Sequence, residues 1–260
     1  MLETSRWSLN LGRVASLGSL AVVALLAQAC GPQLSTSIRT ETAFAPGDTG
    51  LVEKDGLAIE VPNLKTVPEQ FLAEAKACDA NGVPVLDPLT NAQKVIKVFA
   101  VSLGAELFQV KLTNNTDHVV RLGGAVLRLF DPAENAIEPQ SKEEATATAT
   151  RGSVLAEQGA CPNAAGPIKD ALATVRFIGP NTELLPSTST VGYLLFQPPN
   201  VQLAGTWKLA LYEIPVKVDA AGNPVTKTRF EFGFIRKRIQ DTYSQSLMGE
   251  KTLVSSKEVP

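Results

Sequence analysis

The stretch Phe108–Phe130, FQVKLTNNTDHVVRLGGAVLRLF, decides the fold class of this chain. Its first apolar residues, Phe108, Val110 and Leu112, alternate with polar ones, which is the period of a β-strand with one buried face. The polar run Asn114–Asp117 then predicts a tight turn, and an apolar pattern resumes after it. The stretch therefore predicts two antiparallel strands joined by a short turn.

Segments with strand-like patterns lie on both sides of this stretch, and polar turns separate them. They are Leu57–Val61, Val95–Val101, Ala173–Ile178, Val191–Phe196, Thr206–Tyr212 and Lys227–Ile235. Val95–Val101 is β-branched and apolar enough for a central strand, and Gly123–Gly124 predicts a bulge or a bend in Val119–Phe130. Strands at this spacing predict an all-β chain folded as an antiparallel β-sandwich.

Two segments depart from the strand pattern. Val67–Cys78 predicts a short helix, because Thr66 and Glu69 have the spacing of a capping box and a proline occupies the first turn. The long stretch 139–170 has no clear period, and its Ala–Thr alternation makes a poor helix. Loops of this length are usually functional or disordered. Because Cys161 lies within it, we expect an ordered loop insertion at one end of the sandwich.

Two cysteines, Cys78 and Cys161, remain besides Cys30. In an oxidising compartment this pair has a single intramolecular connectivity. A Cys78–Cys161 disulfide would contribute about 4 kcal/mol in the chain-entropy model. The alternative is two buried free thiols, and the pair has too few further ligands nearby for a metal site.

The first 29 residues predict a signal peptide. Val14–Ala27 is apolar but shorter than the roughly 20 residues that a membrane-spanning helix needs. Leu26–Cys30, LAQAC, resembles the lipobox of bacterial lipoproteins. This resemblance implies cleavage before Cys30 and attachment of acyl chains to it, enough for a stable membrane anchor. The alternative is an ordinary secretory signal. Gly31, in place of an inner-membrane retention aspartate, favours the outer membrane, with the protein facing the periplasm.

The remaining organisation follows from composition. After the signal peptide 1–29, residues 30–56 combine the lipidated N-terminus with a segment rich in Ser, Thr, Gly and charge, which predicts a flexible tether. Residues 57–240 form the predicted sandwich domain. The tail 241–260 has weak helical character at its start and is expected to be disordered or to bind a partner.

A second resemblance covers about half of the mature chain. Phe108–Phe130 together with Ile178–Pro199, IGPNTELLPSTSTVGYLLFQPP, is similar to bacterial envelope lipoproteins with immunoglobulin-like, telokin-like domains. Their pattern is a strand, an Asn-rich turn, a strand followed by Asp, and a polar stretch leading into Gly-x-Leu-x-Phe, which Gly192–Phe196 matches. The resemblance implies an immunoglobulin-like β-sandwich and carries no activity.

Charge argues against nucleic acid as a partner. The chain has 24 Lys and Arg against 26 Asp and Glu, and no basic excess is left to bind a phosphate backbone. The cluster Arg236–Arg238 follows the last predicted strand. It either meets anionic lipid or is a solvated strand end that discourages sheet extension.

Enzyme signatures are sparse, and we expect no catalysis and no cofactor. The only histidine is His118, so a Ser-His-Asp triad has no other base to use, and its place in a turn predicts a solvated role. The adjacent carboxylates Glu143 and Glu144 are typical of solvated loop charge. The chain has no phosphate-binding glycine loop and no GxSxG elbow.

Turns with a shared spacing raise the question of calcium. Asp79–Val85 and Asp219–Val225 both place glycine three residues after aspartate, and Asp131–Asn135 is a looser relative with asparagine at the left-handed position. A type I turn followed by a left-handed residue explains this spacing. Because the later oxygen ligands and the closing glutamate of a calcium loop are missing, we expect no metal.

Two functions remain open. The first is a non-catalytic binding or structural module, anchored to the membrane, that contacts another envelope component, most simply a protein. The alternative is a small-ligand carrier or, less favoured, a hydrolase with a pocket near 139–170.

Overall fold

The computed structural model describes residues 33–62, 67–102, 104–199, 203–219, 224–245 and 251–259. The chain is mostly β-structure in antiparallel sheets with a few short helices, which confirms the predicted all-β sandwich. It forms two compact units. The sandwich unit is Thr40–Lys237, and the described parts of the terminal unit are 33–39, 238–245 and 251–259.

The strands in chain order are β1 (Gln33–Phe44), β2 (Leu51–Lys54), β3 (Leu57–Glu60), β4 (Leu72–Lys76), β5 (Val95–Phe99), β6 (Glu106–Asn114), β7 (Val120–Arg121), β8 (Val126–Phe130), β9 (Ala136–Ile137), β10 (Glu183–Leu184), β11 (Thr188–Phe196), β12 (Gly205–Val218), β13 (Pro224–Gln245) and β14 (Lys251–Val259). The helices are α1 (Lys142–Ala149), α2 (Gly152–Glu157) and α3 (Ala165–Thr174). Short 3₁₀ turns occur at Glu69–Phe71 and Pro162–Ala164.

Two sheets enclose the main core of the sandwich unit. The first has the order β1-β13-β12-β8-β9, and the second has the order β11-β6-β3-β2. In the first sheet, the period-two phenylalanines of β13 are all buried and pair across to apolar residues of β12, for example Phe232 to Leu209. In the second sheet, Val110 and Leu112 of β6 face the same core. Alternation in both sheets therefore places one apolar face against the other.

A second core covers the opposite face of β11 and β6. Tyr193 and Leu195 of β11 belong to it, whereas their neighbours Leu194 and Phe196 belong to the main core. The other side of this core is formed by the β4–β5 pair and by the three helices. Burial on both faces explains why the run Gly192–Phe196 is apolar without alternation.

The predicted helix at Val67–Cys78 is wrong. Apart from the 3₁₀ turn, this segment is strand β4, paired with β5, and Thr66 of the predicted capping box lies outside the described residues. Phe71, Ala73 and Ala75 are buried at period two. An alanine-rich sequence is compatible with either a helix or a strand, and the pairing with β5 selects the strand. Val95–Val101 is correspondingly an edge strand rather than a central one.

The predicted loop at 139–170 is ordered, as expected, but it is helical rather than a loop. Ser141 and Glu144 form the complete capping box of α1, and Ala145, Ala149 and Leu155 are buried in the second core. Packing of small residues thus outweighs the modest helix propensity of the Ala–Thr run. The same region corrects Ala173–Ile178, whose first residues end α3 instead of starting a strand.

The predicted flexible tether is wrong for the described residues between 33 and 56. They form β1 and β2, and the ring of Phe44 at the end of β1 lies 5.1 Å from the ring of Phe234. Pairing with β13 orders a segment whose own Ser- and Thr-rich pattern predicts coil. The boundary of the sandwich unit therefore lies at Thr40 instead of residue 57.

The predicted disordered or helical tail also forms strands. Residues 238–245 of β13 pair with β14, and Asp241 lies opposite Ser256. Asp241 is buried, accepts a hydrogen bond from the Ser256 hydroxyl and one of 2.6 Å from Arg39 Nε, and its pKa is lowered, chiefly by Ser256 and then by Arg39. The terminal unit thus has a polar centre shared by its three strands.

Candidate functional site

The chain crosses from one sheet of the sandwich unit to the other after β9. At the preceding turn, Asp131 Oδ1 accepts hydrogen bonds from the backbone N–H groups of Ala133 (2.9 Å) and Asn135 (2.8 Å). The left-handed residue there is Glu134, with φ of 63°, and not Asn135 as predicted. Pairing of β9 with β8 covers only Leu129 and Phe130.

Beyond Ile137 the chain leaves β8. Pro139 bridges to Phe196, and the Gln140 N–H donates to the carbonyl of Leu195 at 2.7 Å, both on β11. The first half of β8 consequently loses its neighbour on that side. An open strand edge of three residues, Val126–Arg128, results within the sandwich.

The opposite side of this opening is the segment that leads out of α3. The Tyr193 N–H donates to the carbonyl of Arg176, and the Ile178 N–H donates to the carbonyl of Tyr193, each at 2.9 Å. Gly192 permits this approach, because a Cβ at that position would lie 2.6 Å from Ile178 Cδ1 and 3.0 Å from the Arg176 carbonyl oxygen. This contact accounts for the glycine in the Gly-x-Leu-x-Phe pattern.

Together these segments enclose a cleft of about 730 Å³, which we call the crossover cleft. It is lined by residues 125–128, 138–142, 144 and 176–183. The cleft lies at the start of the helical insertion, where the sequence placed the pocket of the alternative hypothesis. Its volume falls within the range of about 300–1,000 Å³ that is usual for ligand sites.

Six of the eighteen lining residues are charged. Arg128 Nη2 lies 2.7 Å from Glu138 Oε1, and Arg128 Nη1 donates to the carbonyl of Leu127 at 3.0 Å. Lys142 Nζ donates to the carbonyl of Ala173 at 2.7 Å, at the C-terminal end of α3. Gln140 Oε1 is buried and has no hydrogen-bond partner within the described residues.

No sequence motif points to these residues. Arg128, Gln140 and Arg176 are separated by long intervals, and each is unremarkable among its neighbours in the chain. They meet because β8, the crossover and the end of α3 converge, which depends on strand pairing and not on any local pattern.

The predicted disulfide is confirmed: Cys78 and Cys161 are bonded. The bond joins the end of β4 to the helical insertion, and the Cys161 N–H donates to the carbonyl of Lys76 at 2.9 Å. The predicted lipid attachment site Cys30 and the whole signal peptide lie outside the described residues. Among the residues that are described, no helix has the length and apolarity to cross a membrane.

The residues considered for catalysis do not meet in the crossover cleft. His118 lies in its turn, with Nδ1 3.1 Å from Asp117 Oδ1, and it does not line the cleft. Its Nε2 is nevertheless buried, so the predicted solvated role is only half correct. Glu144 lines the cleft, but its carboxylate accepts the Ser141 N–H at 2.8 Å as part of the capping box. Glu143 is exposed.

The turns considered for calcium bind their own backbone. Asp79 Oδ1 accepts hydrogen bonds from the N–H groups of Asn81 (2.9 Å) and Val83 (2.8 Å), and Gly82 has a positive φ of 78°. Most of the related turn at Asp219–Val225 lies outside the described residues. Within the described ranges, no three acidic, histidine or cysteine side chains are grouped to hold a metal ion.

The predicted surface cluster Arg236–Arg238 is wrong for its first member. Arg236 is buried, its Nη2 lies 2.6 Å from Glu106 Oε2, and its guanidinium stacks 4.3 Å from the Trp207 ring. Burial raises the pKa of Glu106 and lowers that of Arg236, while their attraction opposes both shifts. The pair is therefore an internal feature of the sandwich, and it is unavailable to lipid.

Comparisons with known proteins add little. No protein-family model matches the chain, and no curated protein matches it significantly. Among solved structures, it is similar to the yjhA protein from Bacillus subtilis, with a TM-score of 0.33 and 10% identity over 70% of this chain and 95% of that one. It is also similar to a conserved hypothetical protein from Bacillus anthracis, with a TM-score of 0.30 and 11% identity over 66% and 92% of the two chains. Similarity at this level carries no argument about function.

Proposed function

We propose that this chain is a lipid-anchored protein of the bacterial envelope, attached through Cys30 at the periplasmic side of the outer membrane. Its sandwich unit acts as a non-catalytic binding module for another envelope component, most simply a protein. The crossover cleft is the binding site. The proposal for the anchor depends on the lipobox resemblance of Leu26–Cys30, and the proposal for binding depends on the cleft.

One observation carries the binding proposal: an open strand edge lies at the side of a polar cleft. Val126–Arg128 of β8 have no neighbouring strand on the side of the cleft, because the chain crosses to β11 after Ile137. An extended segment of a partner can form main-chain hydrogen bonds with such an edge, and the flanking side chains then provide specificity. The rest of the sandwich interior is filled by apolar side chains of the two cores.

Site-specific crosslinking in intact cells tests the binding proposal. A photoreactive amino acid in place of Asn181, which is exposed and lines the cleft, is expected to give one dominant adduct with an envelope protein. The same substitution at Glu157, which is exposed on α2 outside the cleft, is the matched control. Adducts that are equal at both positions, or absent at Asn181, contradict the proposal.

The anchor has its own test. Metabolic labelling with clickable palmitate is expected to mark the wild-type protein and to fail on Cys30→Ser. Equal labelling of the two proteins would show that Cys30 is not the attachment site.

A small-ligand carrier remains a second candidate, because the volume of the crossover cleft suits a small molecule. Native mass spectrometry of the protein purified from envelopes discriminates the two functions. A bound compound of constant mass that is lost in Asn181→Trp supports the carrier, whereas a ligand-free protein with a crosslinked partner supports the binding module.

A further inference from the structure

Five of the six charged side chains that line the crossover cleft have a partner in the described part of the chain. Arg128 is paired with Glu138 at 2.7 Å, and Glu183 is paired with Arg121 at 2.8 Å. Both acidic groups are therefore matched by a guanidinium of the chain itself. Neither pair leaves a net charge for a ligand.

The start of α1 supplies two further charges, and both serve the fold. Glu144 accepts the Ser141 N–H in the capping box. Lys142 Nζ donates to the carbonyls of Ala173 (2.7 Å) and Val175 (3.4 Å), so its charge compensates the negative end of α3. These two groups are committed to helix ends.

Arg176 is the exception. It is exposed and lines the cleft, and its guanidinium has no hydrogen-bond or ion-pair partner within the described part of the chain. A guanidinium presents a planar set of donors that matches a carboxylate in a bidentate arrangement. Within the described residues, Arg176 is thus the charged side chain of the lining that has no partner, and its guanidinium suits a carboxylate.

A second feature of the cleft is a buried hydrogen-bond acceptor on Gln140. Gln140 lines the cleft, and its Oε1 is buried and lacks a donor within the described residues; a buried acceptor without a partner is costly. When the Gln140 side chain turns toward the cleft, a ligand N–H can bond this oxygen and remove that cost. The open edge of β8 adds main-chain groups at Leu127, the residue of Val126–Arg128 whose N–H and C=O point away from β12, and its carbonyl also accepts from Arg128 Nη1.

From these three features we infer that the crossover cleft selects an extended acidic polypeptide segment. The segment donates a main-chain N–H to Gln140, pairs with the β8 edge and places a side-chain carboxylate on Arg176. This inference rests on the proposed function, because it takes the cleft to be the binding site.

Peptide binding to the full-length lipidated protein in detergent micelles tests the inference. The probes are three fluorescent, end-blocked hexapeptides in which glutamate, glutamine or lysine alternates with threonine, measured by fluorescence anisotropy. The glutamate peptide is expected to bind about five- to tenfold more tightly than the glutamine peptide, and the lysine peptide most weakly.

Two variants separate the contacts. Arg176→Gln is expected to remove the preference for glutamate and leave the glutamine peptide unchanged. Gln140→Leu is expected to weaken both peptides by a similar factor, since it removes a main-chain contact. Arg151→Gln, at an exposed arginine of the insertion outside the cleft, is the matched control and should change neither.

Each other outcome counts against the inference. Equal affinity for the glutamate and glutamine peptides, or an unchanged preference in Arg176→Gln, overturns the carboxylate assignment. Free N-acetylglutamate that competes fully while the hexapeptides bind no better identifies a small ligand as the source of the carboxylate. If no probe binds, the inference fails, yet crosslinking from Asn181 can still succeed and leave the proposed function standing.

Discussion

Replacing Gly192 by alanine is expected to destabilise the sandwich unit by about 1–3 kcal/mol, the usual cost of overpacking. The added methyl carbon would lie 2.6 Å and 2.9 Å from two carbons of Ile178 and 3.0 Å from the Arg176 carbonyl oxygen. Optimal carbon–carbon contacts are about 3.5–4.0 Å, so segment 176–178 must move by nearly 1 Å. That shift stretches the two 2.9 Å hydrogen bonds that hold the segment to Tyr193.

Urea unfolding of the non-reduced protein, followed by circular dichroism, measures the effect. Ile178→Val removes the closest carbon and costs about 0.5–1.5 kcal/mol by itself. The double variant is therefore expected to be about 1 kcal/mol more stable than the sum of the single effects predicts. Gly124→Ala is the matched control, because nothing lies within 4 Å of its Cβ position. Equal urea midpoints for the two alanine variants, or strict additivity with Ile178→Val, would refute the reasoning.

Three further predictions address stability. Replacing Cys78 and Cys161 by serine should lower the free energy of unfolding by about 4.5 kcal/mol, since the disulfide spans 83 residues. Urea titration measures this loss. The prediction is contradicted if the serine variant loses less stability than the wild-type protein loses when its disulfide is reduced. Asn114 is fully buried and bonds three carbonyls and a threonine, so Asn114→Ala should cost about 2–3 kcal/mol in the same titration, whereas the exposed Asn115→Ala should change little. The pKa of Asp241 is lowered by a serine hydroxyl and then an arginine, so its contribution to the terminal unit is present above the ordinary value of 3.8 and is lost as pH falls below it. Hydrogen exchange of β14 amides between pH 6 and pH 3 should show that loss in the wild type, and a similar loss in Asp241→Asn would argue against this source.

The strands predicted most successfully are those with large side chains at period two. Phe230, Phe232 and Phe234 are buried as predicted, as are Val110 and Leu112. A buried phenylalanine removes a large apolar area from water, so its spacing alone constrains which face of a strand is covered. The sandwich was therefore predictable from the sequence.

The secondary structure was predicted wrongly where the buried side chains are small. In Val67–Cys78 the buried residues between Phe71 and Cys78 are alanines, which remove little area from water and fit a helix as well as a strand. In the insertion, Ala145 and Ala149 occur among threonines that lower helix propensity, yet both pack in the second core. Contacts with distant parts of the chain determine the secondary structure of both segments, and local sequence patterns do not reveal those contacts.

Segments that rely on a partner strand were missed for a related reason. β1 and β14 are mostly exposed along their lengths, so they lack the alternation that marks a half-buried strand. Their order comes from pairing with β13, which supplies main-chain hydrogen bonds to any sequence that is not strongly opposed to extension. Such strands cannot be recognised from the hydrophobic pattern of the sequence.

The crossover cleft also depends on strand pairing, so local sequence patterns do not reveal it. The same arrangement of segments explains how the open edge of β8 is tolerated. An exposed strand edge normally promotes edge-to-edge association, and proteins cover, shorten or recess such edges. None of Val126, Leu127 and Arg128 is fully exposed, because the edge lies between the crossover and the segment that follows α3. A chain that pairs with β8 must therefore fit between these two flanking segments. The helical insertion therefore limits what can pair with β8. The disulfide between Cys78, at the end of β4, and Cys161 restrains this insertion.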